Sequence, residues 1–106
     1  MRREITEIHR QDAEGNPTGG HTTGLGIDIV WQDGPLGRGT DRLEPNGAFV
    51  EGVIQAALGR LQFYQTTTFK CQENAVAITR LEAALHWLQH RTEGRERRNV
   101  EGTHEI

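Results

Sequence analysis

The stretch KCQENAVAITRLEAALHWLQHR, Lys70–Arg91, sets Ala77, Ile78, Leu81, Ala84, Leu85 and Leu88 at the three- and four-residue spacings that gather side chains on one face of a helix. It predicts a helix that starts near Gln72 or Glu73. Upstream, NGAFVEGVIQAALGRLQFYQ (Asn46–Gln65) repeats the pattern at Val50, Val53, Ile54, Ala57, Leu58 and Leu61. That stripe predicts a first helix from about Ala48 to Gln65, with Asn46 at the N-cap position. Three β-branched residues, Thr66–Thr68, favour ending it there. Two striped helices joined by so short a link pack antiparallel, as a helical hairpin. Alanines at 56, 57, 77, 83 and 84 permit close approach of the two backbones.

Further upstream the period changes from helical to alternating. In LGIDIVW, Leu25, Ile27, Ile29 and Trp31 share one parity, which is the pattern of a half-buried strand. Arg3–Gln11 is a weaker strand candidate, and DAEGNPTGGH between them carries three glycines, a proline and an asparagine, so it reads as a turn. Asp33–Gly47 is a glycine-rich connection without periodicity, of a length that is usually functional or mobile. The expected class is α+β: an N-terminal antiparallel β-hairpin or small sheet (1–33), a loop (34–47), a helical hairpin (48–98) and a tail (99–106), all in one domain.

The 106 residues are 34% hydrophobic, a low share for a globular domain, so oligomerisation is a reasonable way to complete the core. A formal net charge of −3 argues against a coat for long nucleic acid, which is normally basic. One cysteine, Cys71, excludes an internal disulfide and fits a reducing compartment. The opening MRREITEIHR lacks the apolar run of a secretory signal, and no segment has the roughly 20 apolar residues of a membrane span. A soluble intracellular protein is expected.

Positive charge is concentrated after the last apolar position of the second helix, at Arg91, Arg95, Arg97 and Arg98. If the helix continues through Gly94, Arg91, Arg95 and Arg98 share a side and can grip phosphate oxygens bidentately. Glutamates 93, 96 and 101 are interleaved, however, and cations are favoured at any helix C-terminus, so spacing alone favours a solvated helix end. Asn74 can read an adenine edge or simply cap its helix. Phe63, Tyr64 and Phe69 cluster between the helices, where they either plug the core or stack on a base, the latter worth roughly 1–3 kcal/mol. Glu82, His86 and His90 fall on one face, but a closed zinc site needs a fourth ligand and Cys71 is too far along the helix, so no metal is expected. GPLGRG (Gly34–Gly39) lacks phosphate-loop spacing, though its amides and Arg38 can wrap a ligand. No nucleophile motif or catalytic carboxylate pair stands out.

Three segments together, WQDGPLGR (31–38), NGAFVEGVIQAALGRLQFYQ (46–65) and ENAVAITRLEAALHWLQHRTEGRERRNVEGTH (73–104), resemble the helical-hairpin domain shared by the anti-Thoeris and anti-CBASS sponge proteins of bacteriophages. The chain departs from that pattern at Ala83 and Asn99, where glutamate and glycine are expected. The resemblance implies a non-catalytic binder without cofactors that sequesters cyclic nucleotide immune signals. These are cyclised ADP-ribose isomers such as gcADPR and, in some members, cyclic oligonucleotides. It implies a homodimer or homohexamer with pockets between protomers, in the cytoplasm of the infected host. Carried onto this chain, it assigns base stacking to Phe63 or Tyr64, the base edge to Asn74 and the pyrophosphate to Arg91 and Arg95. Thr92, Thr103 and His104 become further contacts, as do Arg10 or Arg38 from a partner chain. Two other readings stay open: a phage protein that docks on a host factor, and a phosphodiesterase built on His86, His90 or His104.

Overall fold

Three antiparallel strands precede two helices in the computed structural model, which describes residues 4–97 and Thr103. The strands are β1 (Thr6–Gln11), β2 (Pro17–Gly24) and β3 (Ile27–Asp33), in sheet order β1-β2-β3. After a 3-10 turn at Gly39–Asp41 come helices α1 (Val50–Tyr64) and α2 (Gln72–Arg97). The chain belongs to the α+β class that the periodicities predict, and its described residues divide into a sheet unit, up to Phe49 and with Thr103, and a hairpin unit over 50–97.

The sheet has one strand more than the alternation predicts. Only Asp12–Asn16 turns the chain: the Asp12 carboxylate accepts the Glu14 and Asn16 amides at 2.9 Å each. The rest of DAEGNPTGGH enters β2, whose sequence PTGGHTTG has no apolar alternation to mark it. Its glycines have a steric reason instead, because a Cβ at Gly20 would overlap the Ile8 carbonyl of β1. Leu25 and Gly26 form the tight turn between β2 and β3, so the predicted strand starts two residues late and Leu25 is exposed. Ile29 and Trp31 are half-buried, as their parity requires, and β1 is exposed along its length. On the covered face the Trp31 indole Nε1–H donates to the hydroxyl of Thr22, itself only 5% exposed, at 2.7 Å. Trp31→Phe removes the donor and leaves a buried hydroxyl unpaired, so it should cost about 1–3 kcal/mol in urea unfolding. A cost within error of zero would mean that the bond contributes nothing to stability.

Asn46 does not cap α1. Its side chain brackets the end of β3 instead, accepting the Asp33 amide at 2.8 Å and donating to the Asp33 carbonyl at 3.0 Å, while its own amide donates to Gln32 Oε1 at 2.9 Å. Ala48 is also taken by the sheet unit through a parallel bridge to Trp31, with the Ala48 amide on the Val30 carbonyl and its carbonyl accepting from Gln32. This approach requires Gly47, where a Cβ would strike the Trp31 backbone. The helix therefore starts at Val50 rather than Ala48. Between these anchors the glycine-rich connection buries Leu36, whose carbonyl accepts the Leu43 amide at 2.6 Å.

In the hairpin unit, the predicted faces meet. Ala77, Ile78, Leu81, Ala84, Leu85 and Leu88 are all half-buried, as are Val53, Ile54 and Leu61 of α1, with Leu58 buried, and the two helices pack on each other. Val50 and Ala57, read as part of the α1 stripe, are exposed. The threonines do stop α1, and they do so with hydroxyls: Thr66 and Thr67 donate to the Phe63 and Tyr64 carbonyls at 2.7 and 2.6 Å, satisfying groups the helix leaves orphaned. Cys71 is the N-cap of α2, its Sγ accepting the Asn74 amide at 3.4 Å. Gln65 clamps Cys71 through both backbone groups, at 3.0 and 3.1 Å, which fixes the corner.

Candidate functional site

The corner between the helices presents aromatic surface. Phe63 is 51% exposed and Phe69 77%, so neither plugs a core, while Tyr64 is half-buried. Phe63 and Tyr64 lie 6.1 Å apart at a tilt of 49°. Over both sits the Arg60 guanidinium, 4.9 Å from the Phe63 ring centre and 5.0 Å from that of Tyr64. Sequence reasoning overlooked Arg60, although its spacing of three and four to the two aromatics was the available signal. Its cation occupies ring faces, worth about 0.5–1 kcal/mol at an exposed site, and brings positive charge to the stacking corner.

Asn74, at the third position of α2, is half-buried and its Nδ2–H donates to the Phe69 carbonyl at 3.2 Å. It is not the helix cap, which is Cys71. The amide ties the residue to the aromatic corner and fixes its orientation there. Of the residues assigned to a base, Phe63, Tyr64 and Asn74 are therefore brought together at one end of the hairpin.

The anion-binding candidates stand at the other end. Helix α2 runs unbroken through Gly94, so Arg91 and Arg95 are one turn apart on the same side. Arg91 is exposed and pairs at 3.6 Å with Glu51 in the first turn of α1, where a carboxylate also suits the helix dipole. Arg95 is half-buried. Thr92 is half-buried and donates its hydroxyl to the Leu88 carbonyl at 3.2 Å. Seventeen residues separate Asn74 from Arg91, about 25 Å along the helix at 1.5 Å per residue. The structure therefore does not bring the two halves of the assigned site together within one hairpin.

Arg10 and Arg38 are exposed residues of the sheet unit, and Thr103 is half-buried. His104, Arg98 and Asn99 lie outside the described residues. Among the described residues no group of three or more His, Cys, Asp or Glu is placed to hold a metal ion. The rings of His86 and His90 lie 5.9 and 5.8 Å from that of the exposed Trp87, each in a T-shaped arrangement with it. Among the same residues no helix is long and apolar enough to cross a membrane.

Two antiparallel helices with an aromatic, amide-bearing corner at one end and arginines at the other define a helical-hairpin domain. The chain belongs to the Acb2/Tad1 hairpin-domain family, whose model matches residues 24–93. The match takes in β3, the glycine-rich connection, α1 and α2 as far as Glu93, and leaves out β1 and nearly all of β2. Among curated proteins the chain is similar to Thoeris anti-defense 1 of Bacillus phage SBSphiJ7, with 55% identity over 60 residues, 57% of this chain. It spans 42% of that relative's length.

Proposed function

We propose that this chain binds and sequesters cyclic nucleotide immune signals, foremost cyclised ADP-ribose isomers, and so blocks Thoeris anti-phage defence in the bacterial cytoplasm without hydrolysing the signal. Family membership and the anti-defence name of the phage relative support the direction of this reading. The observation that carries it further is the separation of the two half-sites along one unbroken helix. A dinucleotide-sized ligand cannot span about 25 Å, but two hairpins laid antiparallel bring the corner of one beside the arginines of the other. In that arrangement Phe63 and Tyr64 stack on a base, Asn74 reads its edge, and Arg91 and Arg95 of the second protomer hold the pyrophosphate, with Thr92 and the tail residues Thr103 and His104 beside them. The pocket is then complete only in a homodimer or a larger assembly such as a hexamer. Cyclic oligonucleotides of CBASS type offer the same chemistry of bases and phosphates.

Purifying the protein from cells that make the Thoeris signal, then heating it, tests the proposal. Mass spectrometry should recover intact cyclised ADP-ribose from the denatured protein. A linear or cleaved product would establish turnover, and recovery of neither would remove the ligand.

A further inference from the structure

Of the four asparagines in the chain, three are poorly placed to lose their side-chain amide. Asn16 precedes proline, which has no N–H to turn into a nucleophile, and Asn74 and Asn99 precede Ala75 and Val100, whose side chains crowd the nitrogen that follows. Asn46 precedes Gly47, where nothing does. Once the Gly47 backbone nitrogen gives its proton to hydroxide, it can attack Cγ of Asn46. A bond forms between that nitrogen and Cγ, the Cγ–Nδ2 bond breaks, and Nδ2 leaves as ammonia with a proton from water, which leaves a cyclic succinimide. Water then opens the ring at either carbonyl, giving aspartate or its β-linked isomer. Water and hydroxide are the only co-reactants, and Asn46 is exposed to them.

The fold works against this chemistry. The ring closes only from a geometry in which the carboxamide swings onto the nitrogen that follows it. Both polar atoms of that carboxamide are held elsewhere, Oδ1 by the Asp33 amide at 2.8 Å and Nδ2 by the Asp33 carbonyl at 3.0 Å. The backbone is fixed on either side of the reacting pair. The Asn46 amide donates to Gln32 Oε1 at 2.9 Å, and Ala48 is bonded to the Val30 carbonyl at 2.7 Å and the Gln32 amide at 3.0 Å. Between these anchors Gly47 passes so close to β3 that a Cβ would strike the Trp31 backbone. The glycine that lets the chain pass the strand is thus the residue that makes Asn46 reactive.

We infer that Asn46–Gly47 is a self-modifying site, a deamidation latch that stays unreacted while the bracket on β3 is closed and reacts in molecules whose bracket has opened. The product cannot close the bracket again. Aspartate at position 46 sets a carboxylate, with no N–H, against the Asp33 carbonyl that Nδ2 had satisfied. The β-linked form adds a backbone atom where Gly47 has no room beside Trp31. A molecule that opens for long enough is therefore marked permanently, and its sheet unit is loosened. The latch lies within the sheet unit and stands apart from the hairpin function proposed above.

The full wild-type chain tests this when incubated at mildly alkaline pH with and without denaturing urea, then digested and mapped by mass spectrometry. The peptide holding residue 46 should convert from amide to acid in urea, and at least about tenfold more slowly in the folded chain. Hydrogen exchange of the Asp33 and Ala48 amides reads the opening independently, and its protection should match the slowing of conversion to within about tenfold. Gln32→Ala frees the Asn46 amide and leaves the reacting pair intact, so it should raise exchange at Asp33 and conversion at Asn46 by the same factor. Asn46→Asp supplies the α-linked product directly and should lower the urea midpoint of unfolding. Conversion as fast in the folded chain as in urea would overturn the inference. So would a folded rate unrelated to exchange at Asp33 and Ala48, or an Asn46→Asp midpoint equal to wild type.

Discussion

Arg91→Ala should weaken binding of a cyclised ADP-ribose signal by roughly 10- to 150-fold, the equivalent of about 1.5–3 kcal/mol for a hydrogen bond to a charged group. The fold should barely notice. The pair that Arg91 makes with Glu51 is 61% exposed on the arginine side, and exposed pairs contribute about 0–1 kcal/mol. Glu51 left alone stays in the first turn of α1, where the helix dipole favours it. Isothermal calorimetry beside a thermal melt separates the two effects. Glu51→Gln is the counter-test: it removes the carboxylate that competes with the ligand for the guanidinium, so affinity should hold or rise. Equal affinities for wild type and Arg91→Ala would take the arginine out of the site.

Leu58→Ala should cost about 2–5 kcal/mol, a large share of the roughly 5–15 kcal/mol that holds a domain together. Leu58 is 4% exposed and is the one buried apolar side chain of the described hairpin. The other positions of the facing stripes are half-buried or, at Val50 and Ala57, exposed, so no second residue shares its burden. Val50→Ala, nearly half exposed on the same helix, should cost under about 1 kcal/mol. Urea unfolding reads both. A Leu58→Ala penalty no larger than that of Val50→Ala would place the hairpin's stability elsewhere.

The hairpin was legible because a period of 3.6 is written in apolar residues, and Thr66–Thr68 marked its corner. The strand β2 was not, because its fit rests on Gly20 clearing the Ile8 carbonyl rather than on alternation. Asn46 misled for a related reason: a side chain suited to capping a helix serves equally well to bracket a strand end, and only tertiary structure decides between them. At the site, the aromatics, Asn74 and the arginines were nameable from residue type and family resemblance. The Arg91–Glu51 pair joins residues forty positions apart and leaves no local trace. Arg60 did leave one, at three and four residues from its aromatics.

Each strand pairs with its neighbour in the chain, and so does each helix. Ordering the sheet and the hairpin therefore begins with the closing of short loops, and closing a loop of ten residues takes about 10–100 ns. Domains dominated by such local pairings fold within about microseconds to milliseconds, whereas a ribosome adding about 5–20 residues per second needs some 5–20 s for these 106. Folding of each protomer is thus faster than its synthesis. Under the function proposed above, the delay before the first signal molecule is captured is set by translation and by the meeting of protomers.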